Sequence, residues 1–170
     1  MEDGNHFNNI LEFFSHADLP LENKDSEVEF TKSSLIAPLK LFLEKIPKLS
    51  NKYNIKGDGE AQEPTKPIMG MSYLPDISLK IQPENGSYLE KFLAVEVKLL
   101  RSGNYNPSIS TALGQGIIYK NSGYENVIIF LVDKENKFTP SDINEIKTLF
   151  KIYSLNVIVR KISNSMLLSE

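Results

Sequence analysis

Residues 75–100 read PDISLKIQPENGSYLEKFLAVEVKLL, and the alternation within this stretch governs how the rest of the chain is read. Successive side chains of a strand point to opposite faces. From Phe92 to Leu100, therefore, Leu93, Val95, Val97 and Leu99 share one face, and Ala94, Glu96, Lys98 and Leu100 share the other. From Asp76 to Gln82 the apolar set is Ile77, Leu79 and Ile81, which leaves Asp76, Ser78 and Lys80 on the reverse. Pro83 to Gly86 marks a turn between the two runs, so they form an antiparallel hairpin. Its register must bring both apolar sets to one side, because a slip of one residue would expose a whole set. A turn centred near Gly86 stands Asp76 directly opposite Glu96, and a neighbouring even register leaves them diagonal, about 7–8 Å apart. Two carboxylates and the Lys98 ammonium then converge on one face.

Working outward, Ser108 to Asn121 has helical spacing at Ile109, Ala112, Leu113 and Ile117 and stops at Gly123. Gly114 and Gly116 form a small-residue patch in it that reads as a packing surface. Val127 to Val132 is an uninterrupted apolar run, as in a strand covered on both faces. Thr139-Pro140 gives an N-cap followed by proline at the first helical position. Ile143, Ile146, Leu149, Phe150 and Tyr153 supply that helix's apolar side, and Leu155 to Ile162 follows as a last strand.

Upstream, Ile68 to Tyr73 is a third strand candidate of the antiparallel part, and Lys56 to Lys66 reads as an exposed loop. Apolar residues at Val28, Leu35, Leu39, Phe42, Ile46 and Leu49 predict a long amphipathic helix, bent or divided by Pro38. A short helix from His6 to His16 precedes it. The expected fold is α/β: a mixed sheet of about five strands flanked by helices, with right-handed parallel crossovers at its C-terminal end. The whole chain, 1–170, reads as one domain with an N-terminal helical arm (1–25) and a core (26–170).

Composition narrows the function classes. Without cysteine there is neither a disulfide framework nor a thiolate cluster, so any metal needs oxygen or imidazole ligands; this fits a reducing cytoplasm. No apolar run has the length of a membrane span, and Met1 to Asn5 is unlike a signal peptide, so a cytoplasmic protein without a membrane partner is expected. The formal charge of −3 means that a polyanionic ligand would need a local basic patch. Neither a G-x-S-x-G elbow nor a phosphate loop ending in Gly-Lys-Ser/Thr is present, which disfavours serine hydrolases and P-loop enzymes.

Two close carboxylates favour a hard divalent cation, and magnesium typically takes one or two carboxylates plus waters and phosphate oxygens. Such a cation acidifies water and balances charge on an attacked phosphate, while a neighbouring ammonium orients the nucleophile. The blander reading of Glu96 and Lys98 is a cross-strand charge pair on a solvated face. Against it, a strand followed by a helix and another buried strand lies inside the sheet, where ionisable groups are costly unless paired or functional.

Pro75-Asp76 followed by Glu96-Val97-Lys98 resembles the PD-(D/E)xK nuclease superfamily, the restriction-endonuclease-like fold with core order αβββαβ. On the next helix Gln115 and Tyr119 lie one turn apart, and Q-x-x-x-Y at this place resembles the branch found in recombination and repair nucleases. The resemblance implies a phosphodiester hydrolase using Mg2+, with Mn2+ able to substitute, acting on nucleic acid, with DNA the first expectation and RNA left open. It implies metal binding by Asp76, Glu96 and the Val97 carbonyl, assistance to water by Lys98, and ordering of water or substrate by Gln115. It also implies a glutamate from the first core helix, for which Glu29 and Glu27 are candidates; Glu29 is preferred because it lines up with Ile36 and Leu43. Arg101, just past the strand, and Tyr119 are carried as substrate contacts, although packing against the sheet is the plainer role for Tyr119. Many such nucleases pair two sites in a homodimer, but no dimer surface is identifiable. The competing expectation is a non-catalytic protein of the same fold, serving as a nucleic-acid-binding or protein-interaction module.

Overall fold

The computed structural model describes residues 3–21, 24, 26–46, 52–57, 60, 62, 64–65, 67, 71–82 and 86–162. Its elements are α1 (Asp3–His16), α2 (Glu27–Phe30), a π-helical stretch (Thr31–Ile36), α3 (Ala37–Glu44), β1 (Tyr53–Gly57), β2 (Ile77–Ile81), β3 (Glu90–Leu100), α4 (Tyr105–Asn121), β4 (Asn126–Asp133), α5 (Pro140–Lys151) and β5 (Asn156–Lys161). The fold is α/β, with one five-stranded mixed sheet in the order β1-β2-β3-β4-β5. The β1, β2 and β3 strands pair antiparallel, and β3, β4 and β5 pair parallel through the α4 and α5 crossovers.

The two faces of β3 bury different partners, as its alternation requires. Leu93, Val95, Val97 and Leu99 join Ile10 and Phe14 of α1 and Leu39 and Leu43 of α3 in one core. Ala94 and Leu100 join Ala112 and Tyr119 of α4 and Phe150 of α5 in the other. Every residue of β4 from Val127 to Asp133 is buried, which its continuous apolar run anticipates. Beyond supplying core residues, α1 is fastened by Arg160, whose guanidinium donates to the carbonyls of Phe14, Ser15 and Ala17 at 3.0 Å each. These are carbonyls that a helix end leaves without intrahelical donors.

Two sequence expectations need correction. The first strand is Tyr53–Gly57 rather than Ile68 to Tyr73. Of the latter run, residues 68–70 lie outside the described residues and Met71 makes only an isolated bridge. The true β1 sits at the sheet edge with Ile55 as its one buried large apolar side chain, so it carries almost no hydrophobic pattern. Lys56 and Gly57, read as the start of a loop, are its last two residues. Second, Pro38 does not divide the long helix; the backbone widens into π geometry over Thr31–Ile36 just ahead of it and resumes as α3. Leu49 and residues 83–85 of the expected turn lie outside the described residues.

Candidate metal and phosphate site on the open edge of β3

The lengths of two strands create the site. β2 begins at Ile77, opposite Val95, whereas β3 runs on to Leu100, so beyond Val95 the β2-side edge of β3 has no strand beside it. Backbone groups left on an open edge need other partners. The Val97 N–H donates to Asp76 Oδ2 at 2.6 Å, and the Leu99 N–H donates to Glu27 Oε1 at 3.1 Å. The Leu99 carbonyl accepts from Asn104 Nδ2 at 3.2 Å. Two carboxylates thus continue the sheet where β2 has stopped. A residue's N–H and C=O leave a strand on the same side, so the Val97 carbonyl faces this edge between Asp76 and Glu27.

Glu96 and Lys98 project from the same end of β3 toward α4. Their ion pair is 2.6 Å long and their side chains are 2% and 13% exposed. The second Glu96 oxygen accepts from the Tyr119 hydroxyl at 2.7 Å, and that hydroxyl also stands 3.0 Å from the Leu74 carbonyl. Tyr119 therefore ties the lead-in to Asp76 and the Glu96 carboxylate to one point on α4. Lys98 Nζ is 3.5 Å from Glu27 Oε2, which joins the edge pair to the face pair. The register that pairs Ile77 with Val95 continues to Asp76 opposite Glu96, as the hydrophobic alternation requires.

The electrostatics reflect three acids around one base. Burial, reinforced by the Glu96 charge, pushes Asp76 up to about 7 against the opposing Val97 hydrogen bond and Lys98 charge. Burial likewise drives Glu96 upward, more than Lys98 and Tyr119 can offset. For Lys98, burial alone would lower the pKa, but the Glu96, Glu27 and Asp76 carboxylates reverse this and hold it up as an ammonium. Tyr119 is raised by burial and by the Glu96 charge, so it remains a hydroxyl donor.

Among the other residues singled out from the sequence, Gln115 lies one turn, about 6 Å, nearer the start of α4 than Tyr119. Its Oε1 is buried without a hydrogen-bond partner among the described residues. Arg101 is exposed, one residue past β3. Two assignments change and one residue is added. Glu27, rather than the preferred Glu29, reaches β3; Glu29 is exposed. Tyr119 is 0% exposed and is a positioning partner of Glu96, not a surface for substrate. Leu74, not singled out beforehand, contributes its carbonyl to the same network.

Among the described residues no group of three or more histidine or acidic side chains stands arranged to hold a metal ion. The oxygens of Asp76 and Glu27 turn to β3 N–H groups, and those of Glu96 turn to Lys98 and Tyr119. The donor set nevertheless fits a hard cation: each carboxylate oxygen has a further lone pair, the Val97 carbonyl lies between two acids, and the acids outnumber the base. The raised Asp76 pKa reflects its burial first and the neighbouring Glu96 charge second. Among the described residues no helix is long and apolar enough to cross a membrane. No protein-family model, no curated protein and no solved structure matches the chain.

Proposed function

We propose that this chain is a metal-dependent nuclease of the PD-(D/E)xK type on a restriction-endonuclease-like fold, cutting phosphodiester bonds with DNA as the preferred substrate. The observation that carries the reading is the open edge of β3, where Asp76 and Glu27 flank the Val97 carbonyl beside the Glu96–Lys98 pair. The element order helix, three strands, helix, strand and the antiparallel-then-parallel sheet also suit that core.

Asp76, Glu96 and the Val97 carbonyl would hold Mg2+ or Mn2+, with Glu27 at the rim. Bound there, the ion would supply positive charge against the scissile phosphate and acidify water. Lys98, kept protonated by three acids, donates to the attacking water or a phosphate oxygen and cannot itself take the proton. Gln115 Oε1, without a partner among the described residues, accepts a hydrogen bond from that water. Glu27 fixes the upper end of the β3 edge, and Tyr119 holds Glu96 in one rotamer. In the reaction a water oxygen bonds to phosphorus, the bond to the leaving sugar oxygen breaks, and that oxygen takes up a proton.

The test is cleavage of labelled single- and double-stranded DNA and RNA by wild type, Asp76→Ala and Lys98→Ala, with magnesium, manganese or chelator. Metal-dependent cutting lost in both variants is expected. If wild type cuts nothing and divalent metal leaves its thermal midpoint unchanged, the reading fails in favour of a non-catalytic nucleic-acid-binding or protein-interaction module.

A further inference from the structure

The carboxylate-rich site sits in a chain of net charge −3, so a nucleic-acid strand needs positive charge close by to approach it. A cleft of about 250 Å³ between the π/α3 helix and the end of β1 offers it, lined by Lys32, Ile36, Ala37, Lys40, Gly57 and Glu60. Lys32, Ile36 and Lys40 all line it from the helix, so two ammonium-bearing side chains and an apolar one share that wall. Lys32 is exposed and Lys40 half-buried, and among the described residues neither has a hydrogen-bond or ion-pair partner. The one acid lining the cleft, Glu60, has its Oε2 engaged by the Gly57 N–H at 2.6 Å, so the two lysines outnumber it.

The cleft adjoins the candidate site. Gly57 pairs with Ile77, the residue after Asp76, and a Cβ built on Gly57 would lie 3.8 Å from the Asp76 carbonyl. A Cβ on Gly57 would also displace the Ile36 Cδ1 methyl, so β1 lies close against the helix here. We propose that the Lys32–Lys40 cleft binds backbone phosphates of the nucleic-acid strand immediately beside the one that is cut. Each ammonium acts as a point charge on phosphate oxygens and reads no base, so the contact orients the strand without sequence preference. The identity of the ligand rests on the nuclease reading.

The experiment is anisotropy of a labelled single-stranded oligonucleotide titrated with the full chain in chelator, over a series of salt concentrations. Wild type, Lys32→Gln/Lys40→Gln, and a control with the same charge change on α5, Lys147→Gln/Lys151→Gln, are compared. Two lost phosphate contacts reduce the slope of log K against log salt by about 1.4, and the control keeps the wild-type slope. Thermal midpoints show that all three proteins are folded. An unchanged slope in the cleft variant, an equal loss in both double variants, or no binding by wild type overturns the inference. If the chain binds through the cleft but cuts nothing with magnesium or manganese, the nuclease reading falls and the cleft stands. If it cuts normally and the cleft variant binds like wild type, the cleft alone falls.

Discussion

Asp76 Oδ2 accepts the Val97 N–H at 2.6 Å, at the point where β2 has ended and β3 continues without it. The carboxylate therefore has two tasks that conflict. It closes a backbone hydrogen bond on a sheet edge, and it does so half-buried beside Glu96, where a second negative charge is unwelcome.

That conflict predicts a pH dependence. Burial and the Glu96 charge raise the folded Asp76 group to about 7, while an unfolded aspartate titrates near ~3.9. Between those limits the native state holds a proton that the unfolded chain has released, so stability falls as pH rises through the window and is highest below it. Each pH unit is worth up to about 1.4 kcal/mol, and partial solvent access reduces the sum to about 1–3 kcal/mol. Urea denaturation in chelator from pH 4 to 8 should show this decline, and Asp76→Asn should reduce it, leaving the part contributed by the raised Glu96. A wild-type profile already flat across the window would contradict the buried carboxylate pair. Metal affinity should run the opposite way, rising as pH passes about 7 and the group ionises.

Glu27 and Glu29 are two residues apart and differ completely in surroundings. Glu27 takes the Leu99 N–H at 3.1 Å and lies 3.5 Å from Lys98, whereas Glu29 is exposed. Glu27→Gln should lower metal affinity or cutting by about 10–100-fold, the usual effect of removing an outer partner of a metal site. Glu29→Gln should leave cutting at the wild-type level and stability within about 0.5 kcal/mol. Side-by-side metal titrations of the two variants separate them, and equal effects would contradict the observed geometry.

The spacing points to Glu29 while Glu27 is the one that reaches β3, and the reason lies in the helix between them and the core. The line from Leu43 through Ile36 to Glu29 presumes regular α geometry, but Thr31–Ile36 is π-helical. Such a stretch takes up about one extra residue, a rotation of about 100° in α-helical phase. Nothing in TKSSLI announces it apart from Pro38 two residues later. Strand alternation, by contrast, is local: Ile77, Leu79, Val95 and Val97 align Asp76 with Glu96, although the register shifts by one between Leu79 and Lys80, on the side away from Asp76. The edge strand Tyr53–Gly57 was illegible for the opposite reason: with Ile55 as its one buried large apolar residue, pairing with β2 rather than pattern defines it. The Lys32–Lys40 cleft requires β1 to be known, and so was hidden with it.

Tyr119 tests whether the network is structural as well as chemical. Its hydroxyl is the shared partner of Glu96 Oε2 at 2.7 Å and the Leu74 carbonyl at 3.0 Å, in a side chain that is wholly buried. Tyr119→Phe keeps the ring and strands both acceptors, which should cost about 1–3 kcal/mol in thermal or urea denaturation. Cutting should fall but persist, because Lys98 still holds Glu96. A variant as stable as wild type would mean that water replaces the hydroxyl.

The paired glycines of α4 should respond in opposite directions. A Cβ on Gly116 would meet Leu155 Cδ1 at 2.8 Å and Ile129 Cδ1 at 3.2 Å, so this glycine sets how closely α4 lies on the sheet that carries Glu96. A Cβ on Gly114 meets nothing within 4 Å. Gly116→Ala must push α4 away from β4 or displace buried Leu155 and Ile129, at about 1–3 kcal/mol for overpacking, less the gain from better helix propensity. Gly114→Ala keeps only that gain, about 0.5–1 kcal/mol of added stability. Because Tyr119 and Gln115 ride on the same helix, Gly116→Ala should also weaken cutting more than its loss of stability explains, while Gly114→Ala should leave it intact. Denaturation midpoints and cleavage rates of the two variants check this together, and a Gly116→Ala protein with wild-type stability would show that α4 is not seated through this glycine.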